Sequence, residues 1–316
     1  TFMAALGSLP GVGKQVILGG SETSELNELA RRLLPVKSLS PSHSNLRTLC
    51  VTTSAFSPQF DISLIASCGL HGLKSLTLHG SAVVGTFEVF TRLLGLQELD
   101  VRGTEVDCSR ALELISLAPW APLIKKLSLR NMNVQGDIAA LGNCTNLESA
   151  HFFCRNITGD IAALGNCANL KHCLFVDCKN ITGDIAALGN CANLNKVQFG
   201  WCSGITGDVE ALWNCANLKH CTFADCKNIT GDIAALGNCT NLVNALFLGT
   251  KIAGDIAVLA SCTKLKSATF SQLLFTGDIA ALGSCTNLVK ADFRSCIEVT
   301  GSFEVFTSLL ALQELD

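Results

Sequence analysis

Residues 180–194 read NITGDIAALGNCANL, and close copies of this stretch follow one another along the second half of the chain. The Gly-Asp pair at its centre returns every 23 or 24 residues. The pairs are Gly136-Asp137, Gly159-Asp160, Gly183-Asp184, Gly207-Asp208, Gly231-Asp232, Gly254-Asp255 and Gly277-Asp278. A fixed period in this range is typical of a solenoid, in which each short unit is stable only when it stacks on its neighbours.

One copy predicts the content of a single coil. Cys173 and Phe175 alternate with other residues, which predicts a short strand with these two side chains on one face. Gly183 suits a tight bend, because a missing Cβ relieves it. Asp184 suits a cap, since its carboxylate can accept a hydrogen bond from a backbone N–H two or three residues later. Ile185 lies three residues before Leu188, so one helical or 3-10 turn places both on one face.

Two columns of inward strand positions support this stacking. The larger column is phenylalanine in every coil: Phe152, Phe175, Phe199, Phe223, Phe247, Phe270 and Phe293. The column beside it holds small or medium residues: Ala150, Cys173, Val197, Cys221, Ala245, Ala268 and Ala291. Stacked coils fill volume without clashes when a large column lies beside a small one.

These motifs resemble those of leucine-rich-repeat proteins over residues 46–316. Leu170, Cys173 and Phe175 match the spacing L-x-x-L-x-L. The segment TGDIAALGNCANL resembles the plant-type subclass but lacks the proline after its isoleucine, and the position of Cys178 resembles the cysteine-containing subclass. The resemblance implies an α/β fold: a right-handed horseshoe solenoid with a parallel β-sheet on the concave face. Short helical or 3-10 turns are expected on the convex face.

The repeats divide the chain by length. We expect residues 1–45 to be an N-terminal flank or a degenerate first repeat, with a strand at 16–18 and a helix over 26–34. Longer, divergent repeats follow over 46–135, with a helix at 109–117, and regular repeats of 23–24 residues fill 136–316. The predicted strands of the divergent part centre on Leu49/Val51, Leu76/Leu78, Leu99/Val101 and Leu127/Leu129.

The ends of the chain suggest a fragment of a longer array. It begins at Thr1, and residues 301–316 (GSFEVFTSLLALQELD) nearly copy residues 85–100 (GTFEVFTRLLGLQELD). The stretch 8–15, SLPGVGKQ, fails as a phosphate-binding loop, because Ser8 stands where the first glycine belongs and Gln15 where serine or threonine belongs.

Composition excludes several classes of protein. Of the 316 residues, 48% are hydrophobic and 16% are charged, which argues against disorder. The net charge of −3 gives no electrostatic reason to expect a nucleic acid or an anionic membrane as partner. No apolar run has the length of a membrane span, so we expect no membrane insertion within this segment.

The 17 cysteines do not form a metal-binding pattern. One column repeats once per coil, and buried thiols there act as small hydrophobic groups: Cys144, Cys167, Cys191, Cys215, Cys239, Cys262 and Cys285. Such a column specifies no disulfide pairing and so favours a reducing, cytoplasmic location, although a secreted or surface location stays open. The asparagines of N-x-S/T matches would then be glycosylation candidates: Asn143, Asn156, Asn180, Asn228 and Asn238.

A zinc site near His172 is also disfavoured. His172 and Cys173 are neighbours in a strand, and His220 and Cys221 repeat this arrangement. Neighbouring strand side chains point to opposite faces, so these pairs cannot readily converge on one ion. We expect no metal, no cofactor and no catalytic residues. No Ser-His-Asp or Cys-His pair can be assigned from spacing, and the aspartate of each Gly-Asp pair recurs identically, whereas an enzyme would need one unique site.

Function in a solenoid should depend on positions where the copies differ. The outward strand positions vary, and Trp201 is a large aromatic residue with no role in the core pattern, which makes it a candidate binding anchor. The candidate partner-binding residues on the concave face are Trp201, His172, Lys196, His220, His151 and Gln198. His172, Lys196 and His220 are expected to form a polar patch beside Trp201, with a charge that depends on pH.

We therefore predict a protein–protein interaction scaffold that binds a protein on the concave face. One alternative is an extracellular or surface recognition ectodomain. Another is the substrate-recognition part of a larger enzyme assembly such as a ubiquitin ligase, because the C-x-x-IT coils resemble those of F-box proteins.

Overall fold

The structure, a computed structural model, describes residues 15–19, 46–54, 59–67, 70–271 and 274–316. They belong to a first compact unit that ends at Leu147 and a second that spans Glu148–Asp316. The predicted helix over 26–34 and residues 8–14 of the glycine-containing loop lie outside the described residues. The change of repeat type near residue 135 stays a prediction.

Each coil of the first unit contributes a strand to a parallel sheet. In chain order the strands are β1 (Gln15–Gly19), β2 (Thr48–Thr52), β3 (Phe60–Asp61), β4 (Ser75–His79), β5 (Val83–Thr86), β6 (Glu98–Arg102), β7 (Glu105–Asp107), β8 (Lys126–Arg130) and β9 (Gln135–Asp137). β1, β2, β4, β6 and β8 lie side by side in that order, and β3, β5 and β7 form a smaller parallel sheet. Leu49, Leu76 and Leu99 are in register, which confirms the predicted strands.

The first unit also holds the longer helix that its wider repeat spacing predicts. Helix α1 is short (Ser63–Ser67), and helix α2 spans Ala111–Leu117, which confirms the helix expected over 109–117. Two 3-10 helices, Phe87–Arg92 and Ala121–Leu123, and a third at Ile138–Asn143 complete its turns. Trp120 is fully buried here, and its Nε1–H donates a hydrogen bond to the Phe90 carbonyl at 2.8 Å.

The second unit repeats one plan with little variation. Its strands are β10 (Ser149–Phe153), β11 (Asn156–Asp160), β12 (His172–Val176), β13 (Asn180–Asp184), β14 (Lys196–Gly200), β15 (Gly204–Asp208), β16 (His220–Ala224), β17 (Asn228–Asp232), β18 (Asn244–Leu248), β19 (Lys251–Asp255), β20 (Ser267–Ser271), β21 (Leu274–Asp278), β22 (Lys290–Asp292), β23 (Glu298–Thr300) and β24 (Glu314–Leu315). The even-numbered strands form the main parallel sheet, in chain order. The odd-numbered strands form a second parallel sheet.

The second sheet is a feature that sequence analysis missed. The segment N-I-T-G-D, read from the sequence as a bend, is extended and pairs with the next coil at an offset of two residues, so that Asp160 aligns with Thr182. Glycine and aspartate are depleted in strands, which hides this element from a propensity argument. Gly183 still relieves a strained backbone, as predicted, because its φ is +113°.

A 3-10 helix follows each strand of the second sheet. These helices are Ile161–Asn166, Ile185–Leu188, Val209–Leu212, Ile233–Leu236, Ile256–Ser261, Ile279–Ser284 and Phe303–Ser308. The predicted cap is present: Asp184 Oδ1 accepts a hydrogen bond from the Ala186 N–H at 2.8 Å. Ile185 and Leu188 are both fully buried, as their spacing predicts. The repeated turn is therefore built from one acidic cap and two apolar anchors.

The core of the second unit is a ladder of phenylalanines. The rings of Phe152 and Phe175 stack with their centroids 5.1 Å apart, and those of Phe223 and Phe247 are 6.2 Å apart. Each such side chain contributes roughly 1.5–3 kcal/mol through burial. The predicted cysteine column is also buried: among the described cysteines all are free thiols and all but Cys50 are buried.

Candidate functional site

The candidate surface is the side of the main-sheet strands β10, β12, β14, β16 and β18 that faces away from the core, which we call the strand face. Strand pairing places its residues in three rows. The first row is Ser149, His172, Lys196, His220 and Asn244; the middle row is His151, Leu174, Gln198, Thr222 and Leu246; the last row is Phe153, Val176, Gly200, Ala224 and Leu248. The rows have the register that the repeat predicts, and they hold five of the six candidate residues.

Positive charge gathers at the end of the strand face where the strands begin. We call this the basic edge, and it consists of Lys171, His172, Lys196, Lys219 and His220. Beside it lies a depression of about 430 Å³, which is lined by Lys171, His172, Lys219 and the asparagines Asn193, Asn195, Asn217 and Asn241. The depression is therefore lined by cationic and amide side chains.

Only part of this positive charge is neutralised. Lys171 Nζ lies 2.7 Å from Glu148 Oε2. Lys196 and Lys219 form no ion pair with any described residue. Burial, followed by the charges of Lys196, Lys219 and His172, lowers the pKa of His220. The basic edge thus holds like charges close enough to disfavour protonation of its own histidine.

The two remaining strand-row candidates occupy the middle of the face. His151 Nε2 is 3.0 Å from Ser149 Oγ, and its ring centroid is 6.1 Å from that of His172. Gln198 is half-buried between Leu174 and Thr222. His151 thus extends the histidine cluster toward the centre of the face.

Trp201 follows β14 directly and has an unusual backbone conformation. Its φ is +54°, in the left-handed region, and its side chain is 53% exposed. The same position in neighbouring coils is occupied by Asp177 (φ +56°), Asp225 (φ +53°) and Gly249 (φ +56°). Glycine and aspartate tolerate this conformation, whereas other residues are disfavoured by roughly 1–2 kcal/mol. The fold therefore imposes the turn, and tryptophan is not the residue that the turn prefers.

The backbone hydrogen bond at this turn is also shared between coils. The Trp201 N–H donates to the Ala224 carbonyl at 2.8 Å, and the Asp177 and Asp225 N–H groups donate to the next coil at the same distance. Asp177 forms ion pairs with Arg155 and, at 3.7 Å, with Lys179. The coils on either side of Trp201 thus have aspartate at this turn, and Trp201 stands where the repeat would otherwise have a third aspartate.

The last row gives Trp201 an apolar border. Phe153 is 45% exposed, and Val176 and Leu248 are half-buried. Gly200 and Ala224 have small side chains, so the row is recessed between Val176 and Leu248. An exposed tryptophan beside such a row can cover an apolar side chain of a bound molecule.

The structure does not bring Trp201 next to the histidine and lysine row. Lys196 begins β14 and Trp201 follows its last residue, so the two are five residue steps apart along extended chain, about 16 Å. The expected single patch is therefore two sites at opposite ends of the strands. The expectation was wrong because Lys196 and Trp201 belong to the same coil but lie at opposite ends of its strand.

Sequence reasoning also missed most residues that line the depression. Lys171, Asn195 and Lys219 occupy the position just before each strand, where no apolar pattern draws attention to them. Asn193, Asn217 and Asn241 belong to the repeated A-N-L or T-N-L motif. One sequence signal pointed to this edge: lysine is followed directly by histidine in two of these three coils, at Lys171-His172 and Lys219-His220.

In the His-Cys pairs that were considered as zinc ligands, the two side chains point to opposite faces of the sheet, as expected. Cys173 and Cys221 are fully buried, whereas His172 and His220 are half-exposed on the strand face. In the described part of the chain, no group of three or more histidine, cysteine or acidic side chains is arranged to hold a metal ion. None of the described helices combines the length and apolar content needed to cross a membrane.

The side chains of the glycosylation candidates Asn180 and Asn228 form hydrogen bonds to backbone carbonyl groups, a common role for asparagine in turns. Asn180 Nδ2 donates to the Arg155 carbonyl at 3.3 Å, and Asn228 Nδ2 donates to the Ser203 carbonyl at 3.1 Å. Both therefore join one coil to the coil before it.

Comparison with known proteins identifies the fold through structure alone, since no protein-family model and no curated protein sequence matches the chain. A TDR receptor has a TM-score of 0.65 and 18% identity, over 93% of this chain and 49% of that one. The Arabidopsis receptor kinase HAESA, solved with the peptide hormone IDA and the co-receptor SERK1, has a TM-score of 0.58 and 17% identity over 79% of this chain and 42% of that one. A leucine-rich-repeat protein of Leptospira interrogans has a TM-score of 0.51 and 13% identity over 90% of this chain and 76% of that one.

This chain spans about half the length of the TDR receptor chain that it matches. At these identities the likeness concerns the fold, and it agrees with the parallel sheets, the 3-10 turns and the register of the coils. The chain is an α/β leucine-rich-repeat solenoid.

Proposed function

We propose that this chain is a protein-interaction module that binds a protein partner on the strand face of its second unit. Trp201 is the anchor of that interaction. The observation that carries the proposal is the exposed tryptophan at a left-handed turn where neighbouring coils have aspartate or glycine. A residue that opposes the local backbone preference is commonly retained for function.

The chemistry of the surface supports this role. Tryptophan is the side chain most enriched among residues that dominate binding energy, because it offers a large, rigid apolar area and one polar N–H. The apolar row from Phe153 to Leu248 extends this area beyond a single side chain. HAESA, which shares the fold, was solved in complex with a peptide hormone, so a chain of this fold can bind a peptide.

A matched pair of variants tests the proposal. Trp201→Gly installs the residue that Gly249 already provides at the same turn. Trp213→Gly does the same for the other exposed tryptophan, which lies at the end of a 3-10 helix where other coils have Gly189 and Gly237. Both variants remove one tryptophan and restore the residue of another coil.

The measurement is the affinity of peptides selected against the full chain from a phage-displayed library of random 16-residue sequences. We expect Trp201→Gly to weaken the selected peptides at least tenfold, since loss of a central anchor costs 2 kcal/mol or more in binding, about 30-fold. Trp213→Gly should leave their affinity within about twofold of wild type. Equal binding by wild type and Trp201→Gly would overturn the proposal.

A further inference from the structure

We propose that the basic edge, with the depression beside it, binds acidic side chains of a protein segment whose apolar residue contacts Trp201. This inference rests on the proposed function and specifies the chemistry of the partner. It assigns a ligand class to Lys196, Lys219, His172, His220 and the amides around them.

Charge is the first argument. In the described part of the chain, Lys196 and Lys219 have no acidic side chain within ion-pair distance, and the main-sheet strands β12, β14, β16 and β18 carry no aspartate or glutamate. Lys171 is the exception, because Glu148 pairs with it. A carboxylate bound here would therefore meet two lysines whose charge nothing in the described chain neutralises, and charge-assisted hydrogen bonds of this kind are stronger than neutral ones.

The depression supplies further donors. The side-chain amides of Asn193 and Asn195 make no hydrogen bond within the described residues, so their N–H groups can donate to a ligand. Asn217 Nδ2 instead donates to the Ala192 carbonyl at 3.5 Å, and Asn241 Oδ1 accepts from Lys264 at 2.6 Å. An ionised carboxylate only accepts hydrogen bonds, so it matches a surface of lysines and free amide N–H groups.

The histidine at the centre responds to these same charges. His220 has Lys196 beside it in β14, Lys219 before it in the chain, His172 two strands away and the neutral Asn244 in β18. Burial, followed by the charges of these cations, lowers its pKa. A bound anion would offset the cations and raise that pKa, so proton binding and ligand binding should favour each other.

The dimensions favour a protein segment over a nucleic acid. The cations span three strands, β12, β14 and β16, or about 10 Å across the sheet. They occupy one edge, and the basic edge itself has no aromatic faces other than the two imidazoles on which successive bases could stack. The basic edge and Trp201 are about 16 Å apart, which is the length of five residues of extended chain. A segment that lies along the strand direction would therefore reach both if its acidic residue were about five positions from its apolar residue.

The test uses a fluorescein-labelled peptide of ten glutamates and the full chain at low salt, followed by fluorescence anisotropy. The paired variant Lys196→Gln/Lys219→Gln removes two positive charges from the basic edge. The control Lys227→Gln/Lys251→Gln removes the same charge away from it. We expect at least tenfold weaker binding for the first pair and less than a twofold change for the control.

Two further readouts separate a specific site from general charge attraction. The pKa of His220, followed by NMR of its imidazole, should rise when the peptide is added. Binding should be about three- to tenfold tighter at pH 5.5 than at pH 8, because His220 gains charge while glutamate stays ionised. Three results would overturn the inference: an equal loss of affinity for the glutamate peptide in both paired variants, an unchanged His220 pKa, or no binding of the peptide to the wild-type chain.

Other outcomes distinguish this inference from the proposed function. Equally tight binding of a fluorescein-labelled ten-nucleotide thymidine strand would identify a nucleic-acid surface and overturn the acidic-segment inference. Loss of the selected peptides in Trp201→Gly together with no binding of the glutamate peptide would leave the proposed function standing and overturn the inference. Glutamate binding that depends on Lys196 and Lys219, with selected peptides unaffected by Trp201→Gly, would keep the acidic ligand class of the basic edge but overturn the proposed function and, with it, the contact of the segment with Trp201.

Discussion

Gly183 leaves open the space that the carboxylate of Asp160 occupies. A Cβ added to Gly183 would lie 2.1 Å from Asp160 Oδ1, which is closer than any real Cβ contact. Likewise, a Cβ added to Gly207 would lie 2.2 Å from Asp184 Oδ1. The repeated Gly-Asp pair therefore works between coils: each aspartate caps its own 3-10 turn and lies over the glycine of the next coil.

We expect Gly183→Ala to destabilise the chain by about 2–3 kcal/mol. Roughly 1–2 kcal/mol comes from an alanine at φ +113°, and about 1 kcal/mol comes from displacement of the Asp160 cap. Urea denaturation measures this loss. Gly200→Ala is the control and should cost less, because its φ is not positive and an added Cβ there would lie 3.7 Å from the nearest atom, Val176 Cγ1.

A double-mutant cycle tests the coupling between the two columns. Asp160→Ala removes the carboxylate that Gly183→Ala would strike, so the combined variant should lose less stability than the sum of the single variants. We expect a coupling of about 0.5–2 kcal/mol. Strict additivity would show that the two residues act independently.

Trp201→Gly should not destabilise the fold. Glycine removes the roughly 1–2 kcal/mol that a left-handed tryptophan costs, which offsets the loss of its partly exposed contacts. Trp213→Gly should destabilise it by about 1 kcal/mol, because glycine there loses more chain entropy in an ordinary helical conformation. The free energies of unfolding in urea give both values, and a loss above about 2 kcal/mol in Trp201→Gly would mean that this tryptophan is structural.

The two nearly identical stretches, 85–100 and 301–316, predict different costs for the same substitution. Phe87 is fully buried and packs edge-to-face against Phe90 with ring centroids 4.9 Å apart, whereas Phe303 is 69% exposed. Phe87→Ala should cost about 3–5 kcal/mol, and Phe303→Ala should change stability by less than about 1 kcal/mol. Thermal unfolding of the two variants checks this difference, and similar melting temperatures would contradict the burial described here.

The cysteine columns predict a loss of stability at alkaline pH. Burial raises the pKa of the Cys239 thiol to about 12, against about 8.5 in an unfolded chain. Because the folded-state pKa is the higher one, the stabilisation is complete below about pH 8.5 and is lost as pH rises toward 12. Each such thiol changes the free energy of unfolding by about 1.4 kcal/mol per pH unit within this window.

Cys239→Ala isolates one thiol. Between pH 8.5 and 10.5 the free energy of unfolding of this variant should fall by about 2 kcal/mol less than that of wild type. Val197→Ala is the control, since it also shortens a fully buried side chain but removes no titrating group. An equal fall in wild type and Cys239→Ala would show that this thiol does not titrate on unfolding.

Much of the fold could be predicted because each coil repeats the same physical requirement. Phe175 and Cys173 had to point inward together, and register then fixed every row of the strand face. The second sheet could not be predicted, because its strands contain Gly183 and Asp184, whose local preferences indicate a turn. Pairing with the next coil overrides those preferences.

The outward placement of the candidate residues was predictable, but their position along the strands was not. The outward placement of His172, Lys196 and His220 follows from alternation along a strand. Their distance from Trp201 depends on where the strand ends, which the repeat pattern did not specify. The left-handed backbone at Trp201 was likewise hidden, although Asp177 and Asp225 at the same position were a signal for such a turn.

The most direct test of the central claim is 19F NMR of the full chain labelled with 5-fluorotryptophan. The chain has three tryptophans, Trp120 in the core of the first unit and Trp201 and Trp213 on the surface of the second. Addition of a selected peptide should shift the Trp201 resonance and leave those of Trp120 and Trp213 in place. A shift of Trp213 with Trp201 unchanged would place the partner on the 3-10 turns and contradict binding at the strand face.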